Sequence, residues 1–198
     1  AEKQVTVDGA TRTLTDPFFV IATQNPVETL GCYPLPEAQM DRFLMRIGMG
    51  SLSHDEERQM IDRYINEQPL DTIRPVCTRD EIVSLQRECQ NIYVHTDLRD
   101  YIVNLVQGTR KYGNSSVKGR GITEGVSPRG TLALLRASQG YAMVQGRDFV
   151  APEDIKAVAV PVLAHRLISE TAYAEEKESF ISGLLSSIPL PTEDWTKP

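Results

Sequence analysis

Apolar and polar residues alternate along "QVTVDGATRTL", residues 4–14, on either side of Asp8-Gly9. This is the pattern of a β-hairpin closed by a tight turn. The pattern then changes. Phe18, Phe19, Val20, Ile21 and Ala22 form an unbroken apolar run, which predicts a strand covered on both faces, as in a parallel sheet flanked by helices. The run stops on Thr23-Gln24-Asn25-Pro26. A Gly- and Pro-rich loop, "ETLGCYPLPE", leads into a short helix expected from about Glu37 to Arg46.

Beyond about residue 50 the apolar spacing becomes helical. Ser53 with Glu56 forms a capping box that opens a helix running to about Asn66, and Thr78 with Glu81 opens another running to about Asn91. Leu98, Tyr101, Ile102, Leu105 and Val106 share one face of a third helix. The polar, glycine-rich stretch "KYGNSSVKGRGITEG" reads as a loop. Ser127-Pro128 starts a fourth helix that ends near Gly146. Pro152 starts a fifth, with Ile155, Val158, Ala159, Val162 and Leu163 on one face and Pro161 placed to kink its end. A last helix is expected from about Ala174 to Ser187. The layout is a short α/β piece, residues 1–50, followed by an all-α bundle, residues 51–198.

Composition narrows what this layout can do. The 198 residues carry a net charge of −6, which disfavours gripping a phosphate backbone and argues against a DNA-binding helical domain. No apolar run approaches the ~20 residues of a membrane span. Cys32, Cys77 and Cys89 are odd in number and lack CxxC spacing, so they read as free thiols of a cytosolic protein. His54, His95 and His165 show no metal-ligand spacing, and His165-Arg166 near a helix end is expected to satisfy carbonyls. The chain opens on Ala-Glu-Lys-Gln without methionine, which suggests a fragment.

"QVTVDGATRTLTDPFFVIATQNPVE…GCYPLPEAQMDRFLMRI" closely resembles the second half of the ATPase core in the MoxR family of AAA+ proteins. "GVSPRGTLALLRASQGYAMVQGRDFVAPEDIKAVAVPVLAHRLI" resembles that family's helical lid. The resemblance implies a mainly α chain: a remnant of a P-loop NTPase core (β-hairpin and sensor-1 strand), then the lid bundle. It also implies ATP with Mg2+ as cofactors, assembly into rings (usually hexamers), chaperone-like maturation of protein complexes, and partners carrying a von Willebrand factor A domain. By the same resemblance Asn25 matches sensor 1, Arg42 in "MDRF" the arginine finger, and Arg129 in "SPR" sensor 2. Gly130 stands where the family usually has alanine, which is expected to loosen the first helical turn by up to about 1 kcal/mol.

The chemistry suits these residue types. Phosphoryl transfer asks for positioning and charge stabilisation. An amide at a strand's carboxyl end, as at Asn25, can orient a water or feel a phosphate, although Asn-Pro serves equally as a turn. A guanidinium supplied across a boundary is worth roughly 10³ to 10⁵ in rate; Arg42 could instead pair on the surface with Asp41 or Glu37, and Arg46 is its substitute. Arg129 at a helix N-terminus joins a cation to backbone groups that favour anions.

The chain contains no G-x-x-x-x-G-K-[ST] and no apolar strand ending in Asp-Glu ahead of residue 17. The resemblance places both upstream, so this chain alone is expected neither to bind ATP tightly nor to hydrolyse it. The alternative is a non-enzymatic helical interaction module that kept the lid and lost the motor. A P-loop encoded upstream favours the first reading, and a start codon at residue 1 the second.

Overall fold

The computed structural model describes residues 4–24, 35–66, 68–113, 122–169 and 174–192, with side chains except those of residues 66, 112 and 113. The chain is mainly helical. Strands β1 (Gln4–Val7) and β2 (Ala10–Thr13) pair antiparallel, with Val7 opposite Ala10. Asp8 and Gly9 both take positive φ, 51° and 77°, as a two-residue hairpin turn requires and as Asp-Gly readily allows.

The apolar run that follows departs from expectation. Residues 18–22 form no strand, and Phe19 and Ile21 are each 78% exposed. A strand buried on both faces needs hydrogen-bonding neighbours along its edges. The sheets among the described residues are only the β1–β2 pair and a second two-stranded pair, and neither flanks the run. Helix α1 (Glu37–Met40) is also shorter than expected. The amides of Asp41, Arg42 and Phe43 still bond back to Glu37, Gln39 and Met40, but the carbonyls of Asp41, Phe43 and Leu44 and the Arg46 N–H take partners outside the helix.

The later helices follow their sequence signals closely. Helix α2 (His54–Asn66) begins at the Ser53–Glu56 box, with Ser53 N–H donating to Glu56 Oε2 at 2.7 Å. Helix α3 (Arg79–Asn91) begins at the reciprocal Thr78–Glu81 box. Helix α4 (Thr96–Gly113) buries Leu98, Tyr101, Ile102, Leu105 and Val106, the predicted face. Helix α5 (Pro128–Val144) has Ser127 as its N-cap. Helix α6 (Pro152–Leu163) buries Ile155, Val158, Ala159, Val162 and Leu163 and contains Pro161. It runs into a 3-10 turn, Ala164–Arg166, and helix α7 (Ala174–Ser187) closes the bundle. Two short strands, β3 (Ile122–Glu124) and β4 (Ile168–Ser169), pair antiparallel and were not foreseen; at three and two residues they are too short to show an alternation.

The core is built by α4, α5, α6 and α7, with α5 and α6 most closely packed. Helix α3 is tied to it by Gln139, whose buried amide donates to the carbonyls of Gln90 and Ile92 at 3.3 and 2.8 Å. Cys77 and Cys89 are free thiols, and Cys32 lies outside the described residues. Among the described residues no helix is long and apolar enough to cross a membrane.

Candidate functional site

Of the three residues singled out, Asn25 lies outside the described residues. Arg42 and Arg129 are both described, and the structure brings their segments together although they are far apart in sequence. Arg42 is exposed in the turn directly after α1. Arg129 is the second residue of α5, its side chain 64% exposed.

The end of α4 fixes where α5 begins. Buried Thr109 accepts the Val126 N–H at 3.0 Å, and Arg110 Nε donates to the Val126 carbonyl at 2.7 Å. With both backbone groups of Val126 held, the next residue, Ser127, is set to cap α5. Its hydroxyl accepts the Arg129 N–H at 3.2 Å, satisfying one of the helix's free donors.

Asp41, the residue before Arg42, reaches this cap. The Ser127 hydroxyl lies 3.3 and 3.1 Å from the two oxygens of Asp41 and can donate to one of them. Arg129 Nη1 is 3.8 Å from the same carboxylate. An anion at a helix N-terminus is favoured by the helix dipole, and a cation there is not. Asp41 therefore occupies, within the fold, the place where the α5 N-terminus and Arg129 would jointly favour an anion. The Asp41–Arg129 pair itself is long and exposed, so it adds little stability.

A second arginine was missed as a site residue. Arg166, whose side chain is 2% exposed, sets its Nε 3.3 Å from Asp41 Oδ1 as an ion pair. Its other nitrogens donate to the carbonyls of Asp41 (3.3 Å), Leu44 (3.2 Å), Phe43 and Val162. Burial pulls its pKa down and Asp41 pushes it back; a guanidinium stays charged regardless. Arg46 N–H completes the strap by donating to the Pro161 carbonyl at 2.9 Å. The carbonyls of Asp41, Phe43 and Leu44 and the amide of Arg46 are thus fastened to the end of α6 and the 3-10 turn after it, and no longer serve to extend α1.

His165 assists. Burial, then the charge of Arg166, lowers its pKa to about 4, so the ring is neutral. Nδ1 lies 3.1 Å from the Pro161 carbonyl, and Nε2 lies 3.3 Å from the Phe43 carbonyl and 3.0 Å from Arg166 Nη1; the neutral ring donates to one of the two carbonyls, according to its tautomer. The expectation that His165 and Arg166 satisfy carbonyls holds, but several of those carbonyls lie about 120 residues away. No spacing rule reports that.

Gly130 reverses its sequence reading. A Cβ at this position would overlap Val126 Cγ1 and stand 3.2 Å from Arg166 Cδ. The missing side chain makes room first for Val126 and beside it for the Arg166 stem, so close approach at the first turn of α5 accounts for a glycine here.

Among the described residues there is no cluster of His, Cys, Asp or Glu that could hold a metal. A cavity of about 10 Å³ beside Arg46, His165 and Lys177 holds no more than a single water. The arrangement leaves two exposed guanidiniums, that of Arg129 in the first turn of α5 and that of Arg42 in the turn after α1, on segments joined through Asp41 and Ser127.

Comparison with known proteins gives this geometry a context. Residues 1–45 match the ATPase family associated with various cellular activities (AAA), and residues 116–182 match the AAA lid domain. A crystal structure of a candidate ATPase from Cytophaga hutchinsonii superposes with a TM-score of 0.83 at 34% identity, over 96% of this chain and 59% of that one. The fold and the matched families define an AAA+ protein. The Bacillus subtilis protein YeaC, of uncharacterised function, is 41% identical over 97% of this chain and 59% of its own length. Chaperone MoxR1 of Mycobacterium tuberculosis is 40% identical over 96% of this chain and 51% of its own length, and protein MoxR of Paracoccus denitrificans is 28% identical. The chain belongs to the MoxR family of AAA+ proteins. It spans between 51 and 59% of the length of these relatives.

Proposed function

We propose that this chain is the C-terminal part of a MoxR-type AAA+ ATPase, with residues 1–50 completing the α/β core and residues 51–198 forming the lid. In the whole protein ATP and Mg2+ would be held chiefly by residues outside this chain. Asn25 serves as sensor 1, Arg129 contacts the γ-phosphate of its own subunit as sensor 2, and Arg42 acts as the arginine finger on the nucleotide of the next subunit in a ring, usually a hexamer. Hydrolysis drives chaperone-like remodelling of protein complexes in the cytoplasm, with a von Willebrand factor A domain protein as partner. A relative bearing the name chaperone supports the chaperone-like part of this reading. The exposed run at residues 18–22 is then an inner strand whose sheet neighbours lie in the missing half of the core.

One observation carries the proposal. Arg42 and Arg129 stand on segments joined through Asp41 and Ser127, so a cation facing one nucleotide and a cation facing the next are mounted on one rigid unit. The test is ATP turnover by the full-length protein. Arg42→Ala should lose activity by about 10³-fold or more, and mixing its subunits with subunits of a P-loop variant should restore it. Normal hydrolysis by Arg42→Ala would remove the finger assignment and bring Arg46 forward. This chain by itself should show no turnover.

A further inference from the structure

The two carbonyls that flank Arg42, those of Asp41 and Phe43, both accept hydrogen bonds from the buried guanidinium of Arg166. The Leu44 carbonyl does so as well, at 3.2 Å. The same guanidinium faces the Asp41 carboxylate at 3.3 Å and is steadied from behind by Val162 and His165. A five-donor, planar group has thus been spent on backbone rather than on ligand. The turn it grips carries an exposed arginine. The stem of Arg166 passes close to Gly130 in the first turn of α5, 3.2 Å from where a Cβ would stand.

We propose that Arg166 is a positioning residue for Arg42: it clamps the main chain on both sides of that residue to the lid, so that the lid of each subunit sets the reach of its arginine toward the neighbouring nucleotide. The proposal rests on Arg42 acting across a subunit boundary. A clamp is needed there because an arginine on a free turn would sample many positions, and misplacement by about 1 Å can cost on the order of 10²-fold in rate. Lysine cannot replace the clamp, since a single ammonium lacks the planar fork that meets several carbonyls and a carboxylate together.

The experiment uses the full-length protein, with ATP turnover measured for Arg166→Lys, Arg42→Ala and the double variant. Arg166→Lys should lower kcat by about 10²-fold and leave KM for ATP within about threefold, because Arg129 keeps its own Ser127 cap and its place on α5. In the Arg42→Ala background it should lower kcat no further. Mixing Arg166→Lys subunits with P-loop-variant subunits should restore turnover, since the latter supply a correctly held Arg42. A merely structural role would instead impair ATP binding in the same subunit and would not be rescued by mixing.

If Arg166→Lys does not fold, as judged by its thermal transition, Asp41→Asn keeps the side chain's shape and Ser127's acceptor while removing the charge. It should show a kcat defect rescued in the same mixing assay. Inactive Arg42→Ala beside an Arg166→Lys or Asp41→Asn that turns over at the wild-type rate overturns the clamp and leaves the finger intact. Active Arg42→Ala overturns the finger and the clamp with it.

Discussion

Both residues 4–66 and residues 93–192 carry large apolar side chains, but only the second stretch buries them. Every buried hydrophobic residue among those described lies between Val94 and Leu184. In the first stretch Phe18, Phe19, Val20 and Ile21 are exposed, as are Met60, Ile61, Tyr64 and Ile65 along α2. The difference lies in where each pattern finds its partner. The apolar faces of α4, α5, α6 and α7 meet one another within about 100 residues, and helices need only a facing helix to exclude water. A continuous apolar strand needs neighbours on two edges and two faces, and among the described residues no strand lies beside it.

The sharpest way to break this comparison is to truncate one apolar residue on each side of it. Leu134 on α5 is fully buried in the core, so Leu134→Ala should cost about 2–5 kcal/mol of unfolding free energy. In this chain Ile21→Ala should change it by less than about 0.5 kcal/mol. Chemical denaturation of both variants checks this. A large loss from Ile21→Ala would mean that residues 18–22 are covered.

How much of this was legible follows the same division. Six helices, α2 to α7, fall where the sequence places them, and for five of them the signals are local: the Ser53 and Thr78 boxes, Ser127-Pro128, Pro152, and apolar spacing on α4 and α6. The strand at residues 18–22 was expected from a pattern that states what covers it, not what is present to do so. The length of α1 was overestimated because Arg166 takes the carbonyls of Asp41, Phe43 and Leu44 and Pro161 takes the Arg46 N–H, tertiary bonds that compete with helical preference. Of the candidate site, Arg42 and Arg129 were legible through motif resemblance. Asp41 and Arg166 were not, for their link is an ion pair between residues 125 positions apart.

The junction between the two stretches carries a pH dependence. His165 has a folded pKa of about 4 against an ordinary value of 6.5. Between pH 6.5 and 4 the unfolded chain takes up a proton that the folded chain refuses, so stability falls as the pH drops through that window and is level above it. At ~1.4 kcal/mol per pKa unit the loss should reach about 2–3 kcal/mol. His165→Asn cannot titrate, so the wild type should lose that much more than the variant on acidification. Equal pH slopes would mean that the imidazole is not held neutral against Arg166.

Gly130→Ala tests the same junction with a question of sign. Helix propensity alone favours alanine by up to about 1 kcal/mol. The added Cβ, however, meets Val126 and the Arg166 stem, and overpacking at such a site costs about 1–3 kcal/mol. The variant should therefore be destabilised, as read from its thermal midpoint. A stabilised variant would show that the Arg166 stem can move aside.

The smallest effect separates the two stretches most finely, because it compares two nearly identical devices. Ser53–Glu56 and Thr78–Glu81 are both capping boxes, and in each the glutamate's pKa is lowered first by the backbone N–H of its N-cap partner. Helix α3, which Thr78 opens, is bonded at its far end to Gln139 of the core helix α5. Helix α2, which Ser53 opens, leaves Met60, Ile61, Tyr64 and Ile65 exposed. Removal of a cap costs about 1 kcal/mol of helix stability. Thr78→Ala should pass that cost to the cooperative unfolding of the bundle, because α3 unfolds with it. Ser53→Ala should leave global unfolding unchanged and speed amide exchange in the first turns of α2 alone, since a segment that opens on its own does not report on the core. Should Ser53→Ala lower global stability as much as Thr78→Ala, α2 belongs to the same cooperative unit as α4–α7, and the boundary drawn between the two stretches lies too far along the chain.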